Sequence, residues 1–129
     1  MSTSASPIMS SYLDSVRLNE ADLITRLLDC LGGKLTAYLG GVRETRAVRQ
    51  WAEGVRKPSS ESMERLRLAF QAAGMIVEAG NAPQVVQAWF QGMNPQLEDR
   101  SPARVIREGD PHAVGPEVLA AARAFARVG

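Results

Sequence analysis

Arg46, Arg49 and Gln50 recur at i, i+3 and i+4 in the stretch "ETRAVRQWAEG", and Glu53 continues the line at i+7. On a helix these side chains share one face. Such a row has a definite chemistry. An arginine can bond guanine O6 and N7 with both arms of its fork, and a glutamine can do the same with adenine. Arg43, Arg56 and Lys57 flank the row, where phosphate contacts would lie, and Thr45 sits near the helix cap. The candidate base- and phosphate-reading set is therefore Arg43, Thr45, Arg46, Arg49, Gln50 and Lys57. Charge alone favours a plainer reading, a solvated helix face.

The other reactive side chains suggest little chemistry. Cys30 is the single cysteine, so no intrachain disulfide can form, and its neighbours Leu27, Leu28 and Leu31 place it in a core. His112 is the single histidine and has no ligand partner near it in sequence, which argues against a metal site. A Ser–His–Asp arrangement would have to use that same histidine in a loop of a small helical domain. "LGGK" at residues 31–34 lacks the rest of a phosphate-binding loop and reads as a helix stop. No catalytic residue and no cofactor are expected.

A reading row needs a rigid helix packed on a core. The chain has 129 residues, 45% of them hydrophobic and 5% aromatic. That length suits one domain, or two very small ones sharing a core filled by Leu, Val, Ile, Ala and Met. The net charge of +1 predicts no polyanion partner by itself. Its distribution says more. Residues 43–67 carry Arg43, Arg46, Arg49, Arg56, Lys57, Arg65 and Arg67 against Glu44, Glu53, Glu61 and Glu64, whereas residues 68–110 are mildly acidic. That asymmetry predicts two surfaces with different partners. The start, "MSTSASPIMSSYLDS", lacks the basic cluster and apolar stretch of a signal peptide. No run approaches the roughly 18 apolar residues of a membrane span. A mobile tail and a cytoplasmic protein are expected.

The periodic stretches are helical and no strand is expected. "NEADLITRLLDCLGG" begins with Asn19 as N-cap, buries Leu23, Ile24, Leu27, Leu28 and Leu31, and ends at Gly32–Gly33. "KLTAYLGG" is a short second helix. "ETRAVRQWAEG" is the third, with Val48 and Trp51 facing inward and Gly54 at its end. The helix after Pro58 has a serine cap, Glu61 and Glu64 in its first turn, and a core stripe of Met63, Leu66, Phe70, Ala73 and Val77. Asn81 is read as the cap of the next helix, with Val85, Val86, Trp89 and Phe90 as its apolar face. Ser101 and Pro102 open another. The last is expected to start with Pro116 at its first position and to bury Val118, Leu119, Ala122 and Phe125. The result is an all-α protein of seven short helices.

The Gly-containing turn between the second and third helices has the spacing of a helix-turn-helix. "QWAEGVRKPS" resembles the end of the recognition helix in the Xre (lambda-repressor-like) family. There the Trp anchors the helix, the Gly caps it and the Pro opens the next helix. The resemblance covers roughly Leu23 to Phe70. "GGVRETRAV" is a residue longer than the family's usual turn, which shifts the expected register.

The second half, "AWFQGMNPQLEDRSPARVIREGDPHAV", is similar to the toxin-binding domain of Xre/MbcA/ParS antitoxins at Trp89, Phe90, Asn94, Pro95, Leu97, Pro102, Val105, Ile106, Gly109 and Asp110. Many members carry Gly-Gly after the leucine. Glu98, Asp99 and Arg100 stand here instead, as in the MbcA-like branch. The resemblance implies an antitoxin without catalytic activity. Its partner would be a RES-fold toxin that consumes NAD⁺, its NAD site covered by the antitoxin's C-terminal segment. In this chain that segment is "LAAARAFARVG", with Arg123, Phe125, Arg127, Val128 and Gly129 as candidate toxin contacts. It also implies a homodimer, a larger hetero-oligomer with the toxin, and operator binding for autoregulation. The expected organisation is a tail over 1–17, an Xre-like helix-turn-helix domain over 18–79, and a toxin-binding and dimerisation domain over 80–129. Two rival readings stay open: a dimeric transcription repressor without a toxin, and a protein-binding module whose helix-turn-helix no longer binds DNA.

Overall fold

Asn19 opens the first helix as the sequence predicts: its side-chain oxygen accepts a hydrogen bond from the Asp22 backbone N–H at 2.8 Å. The computed structural model describes residues 19–128. The expected tail and Gly129 lie outside the described residues. Helix α1 spans Glu20–Leu31 and buries Leu23, Ile24, Leu27 and Leu31. Gly32 turns the chain, and α2 (Gly33–Gly40) follows at once. Gly41, in the left-handed region, leads into the turn before α3 (Thr45–Ala52).

Val48 and Trp51 pin α3 to the rest. Trp51 can approach because Gly40 has no side chain: a Cβ there would meet the Trp51 ring at 3.3 Å and Leu66 at 3.6 Å. Full burial of a large apolar side chain contributes about 1.5–3 kcal/mol, so these two residues suffice to hold a helix this short. Helix α4 (Ser60–Glu78) is capped by Ser59, whose hydroxyl accepts from the Ser62 N–H. The Ser62 hydroxyl in turn donates to the Gly40 carbonyl at 2.6 Å, buried between α4 and the end of α2.

Helix α4 is the central element, with α2 against one side and α7 against another. That position corrects the expected core stripe. Met63, Leu66, Ala69, Ala73 and Ile76 are buried, and so are Leu68 and Ala72. Phe70 is half-buried and Val77 is 43% exposed. A helix with neighbours on two sides buries two stripes, and Val77 belongs to neither.

Asn81 does not cap the next helix, contrary to expectation. Its side-chain amide donates back to the Ile76 carbonyl at 3.0 Å, so it closes α4. Helix α5 (Pro83–Gln91) has Ala82 at its N-cap and Pro83 in its first turn. A 3₁₀ turn, Pro95–Leu97, follows, then α6 (Pro102–Glu108) with the expected Ser101 cap on Arg104.

The last helix, α7, spans Pro111–Val128 and contains Pro116 in its interior. The expected start at Pro116 is therefore wrong by more than a turn. Asp110 nucleates the helix earlier: its carboxylate accepts from the His112 N–H and its carbonyl from Val114. His112 thus lies on a helix rather than in a loop. Pro116 lies beyond the first turn, so it cannot supply the N–H that would bond the His112 carbonyl. Val118, Ala121 and Ala122 are buried, whereas Leu119 and Phe125 are half-buried, so Ala121 takes the core place expected of Phe125.

Among the described residues the fold is all-α, with seven α-helices and no strand. One hydrophobic core joins the helices on both sides of residue 80. Gln87 of α5 reaches the Cys30 carbonyl at the end of α1 at 2.9 Å.

Candidate functional site

Helix α3 turns its basic row outward. Arg46 and Arg49 are exposed, as are Arg43, Arg56 and Lys57 beside it. Gln50 is half-buried. None of the side chains of Arg43, Arg46, Arg49, Arg56 and Lys57 bonds to another described residue. Thr45 is half-buried, its side chain against Gly33, where a Cβ would meet Thr45 Cγ2 at 3.3 Å. It serves packing as well as the exposed face. The carbonyl of Gln50 accepts from Val55 and Arg56, which curls the chain after α3 and sets Arg56 and Lys57 at its end.

The arginines of α4 and α6 differ. Arg65 donates to the Ile106 carbonyl at 3.2 Å and pairs with Glu61. Arg107 donates to the Tyr38 carbonyl at 2.9 Å and reaches Val42 at 3.4 Å. Its guanidinium lies 4.6 Å from the centre of the Tyr38 ring. Arg107 therefore fastens α6 to the end of α2 and to the turn that leads into α3. These contacts bind the two halves of the chain together, and no pattern of periodicity announces them.

The candidate toxin contacts fall on two faces of α7. Phe125 and Val128 share one side with Ala121 and Ala124 at helical spacing, and together they line a groove. Arg123 and Arg127, at i and i+4, are exposed and are not part of that lining. Gly129 lies outside the described residues. The groove runs between α5, the 3₁₀ turn and the end of α7, and its volume is about 680 Å³. Val85, Met93 and Val128 stand at its open side, with Met93 81% and Val128 89% exposed. Trp89 lies in its wall, edge-on to Phe90 with ring centres 5.0 Å apart, and its buried indole N–H has no acceptor among the described residues. Sequence reasoning missed this groove. Its signal was the absence of any charged residue between Glu78 and Glu98.

The 3₁₀ turn is tightly bonded. The Asn94 side chain accepts from Gln96 and its carbonyl from Leu97 and Asp99, while its N–H donates to the Arg100 carbonyl. Leu97 is fully buried. Glu98 and Asp99 both take left-handed backbone, with φ of 58° and 63°.

Cys30 packs half-buried against the core, and desolvation pushes its thiol pKa up. A thiol held protonated in this way is a poor nucleophile. His112 faces Glu64 at 3.3 Å on the surface. Among the described residues no cluster of His, Cys, Asp or Glu could hold a metal ion, and no helix is long and apolar enough to cross a membrane. No family model matches the sequence, and no curated protein and no solved structure matches it significantly.

Proposed function

We propose that this chain is a cytoplasmic antitoxin of the Xre/MbcA/ParS kind, which neutralises a RES-fold, NAD⁺-consuming toxin and reads its own operator through α2 and α3 as a helix-turn-helix. The observation that carries the first part is the end of α7, where Arg123, Arg127 and Val128 are exposed on the last two described turns. Arginines on such an end can enter a cleft and pair with carboxylates there, which makes them strong candidates for contact hot spots. The turn at 94–100 supports the family reading. Glu98 and Asp99 replace the family's Gly-Gly, yet they adopt the backbone that glycine favours. The exposed row of α3, with Arg43, Arg56 and Lys57 around it, supports operator reading.

Co-expression with a RES-fold enzyme tests the reading. The wild-type chain should restore growth and NAD⁺ levels. The Arg123→Glu, Arg127→Glu double variant should lose that protection while keeping its helicity and its promoter binding. A wild-type chain that leaves NAD⁺ depleted refutes the antitoxin reading. In that case a DNA-binding repressor without a toxin becomes the better account of the exposed α3 row.

A further inference from the structure

We infer that the cleft between α1 and α4 is the docking site of the chain's own N-terminal segment, residues 7–17, which covers it with an apolar stripe. The inference stands apart from toxin neutralisation and from DNA reading, and it replaces the reading of residues 1–17 as a mere tail. It leaves the basic row of α3 and the end of α7 to other partners.

The cleft has a volume of about 200 Å³, with Leu27 and Cys30 of α1 on one wall and Phe70, Ala73 and Val77 of α4 on the other. Phe70, Ala73 and Val77 stand at i, i+3 and i+7, the stripe that the sequence marks as core. Yet Cys30 and Phe70 are only half-buried, and Val77 is 43% exposed. An apolar stripe left this open calls for a cover. The segment before Asn19 lies outside the described residues, and its sequence fits the task. In "SPIMSSYLDSVRL", Ile8, Met9, Tyr12, Leu13 and Val16 recur at i, i+1, i+4, i+5 and i+8, one face at helical spacing. Ser6 and Pro7 carry the same start signature as Ser101 and Pro102. The reach is right as well. Arg17 and Leu18 leave room for a reversal before Asn19, since connections between helices run from about two residues upward. Folded back from Leu18 at about 1.5 Å per residue, Ile8 lies about 15 Å along, and Cys30 stands about 16 Å from Asn19 on α1. Charge does not oppose the contact. The cleft carries Arg26 and Glu78, one of each sign, and the segment carries Asp14 and Arg17. Tethering favours this occupant over a second copy, because a short link holds the segment at an effective concentration of about a millimolar.

Alkylation of Cys30 by N-ethylmaleimide in the full chain tests this, since no other thiol can report. The wild type should react slowly, at a rate that does not change with protein concentration. Leu13→Asp together with Val16→Asp should raise the rate roughly tenfold or more, because a carboxylate buried in an apolar cleft is costly. This variant should keep a cooperative unfolding transition in urea. Val77→Asp, at a position already open in the described structure, should have the same effect from the other side of the contact. All three substitutions together should raise the rate no further than either set alone, since both sets break one contact. Ser11→Asp, off the apolar stripe, should leave the rate as it is. A wild-type rate equal to that of the urea-unfolded chain overturns the inference. So does a rate that the segment variant leaves unchanged. Effects of the two sets that multiply overturn it as well, because segment and cleft would then act independently. Protection that grows with protein concentration gives the cleft to a second copy and not to the segment.

Discussion

The arginines of α3 and those of α4 and α6 have the same chemistry and opposite employment. Arg46 and Arg49 stand exposed and bond to no other described residue. Arg65 and Arg107 spend their donors on backbone carbonyls at the ends of α6 and α2. The first pair is available to a partner, and the second pair holds the scaffold that presents it. Arginine content alone would count all four as one basic centre. The difference lies in whether a helix-end carbonyl able to accept a further hydrogen bond is within reach.

The sharpest way to break this comparison is the Arg46→Ala, Arg49→Ala double variant. If each arginine bonds a guanine, promoter affinity should fall on the order of 100-fold or more, since a good bidentate pair is worth about 1–3 kcal/mol. The urea midpoint of unfolding should not move, because exposed side chains without partners change stability by no more than about 0.5 kcal/mol. Unchanged promoter affinity would remove α3 as a reader. A shifted midpoint would show that these arginines were structural after all.

Arg107→Ala probes the other side. It removes a charged donor from the Tyr38 carbonyl and a cation from over the Tyr38 ring. Unfolding should become easier by about 1–2 kcal/mol. Arg107→Lys should recover only part of this, since an ammonium cannot reproduce the planar fork. Equal stability of wild type and Arg107→Ala would place Arg107 with the available arginines.

The smallest effect is expected at Glu98. A residue other than glycine in the left-handed region costs about 1–2 kcal/mol, and the extra freedom of glycine in the unfolded chain takes back about 0.4–1 kcal/mol. Glu98→Gly should therefore stabilise the chain slightly, by roughly 0.5 kcal/mol in thermal unfolding. Its exposed pair with Arg100, at 3.7 Å, contributes little. A destabilised variant would mean that Glu98 makes a contact worth more than its strain.

The parts of the fold that were legible in the sequence are those settled within a few residues. Asn19, Ser59 and Ser101 cap the helices they were expected to cap, or stand within a residue of doing so, because a cap bonds a backbone N–H two or three positions on. Trp51 was legible as an anchor because it shares a helix face with Val48. Asn81 and Pro116 misled for a shared reason. Asn81 had two helix ends to choose from, and Pro116 followed an Asp-Pro start that already opened a helix.

The site divides in the same way. The sequence by itself determined that the third helix carries an outward basic row, since spacing along one helix decides which residues share a face. It determined equally that the last helix is amphipathic. Only the tertiary structure decided that Phe125 and Val128 line a groove with Met93 while Arg123 and Arg127 do not. That outcome depends on where α5 and the 3₁₀ turn lie against α7. Likewise, only packing committed Arg65 and Arg107 to carbonyls about forty and seventy residues away in the chain, contacts that no local pattern encodes.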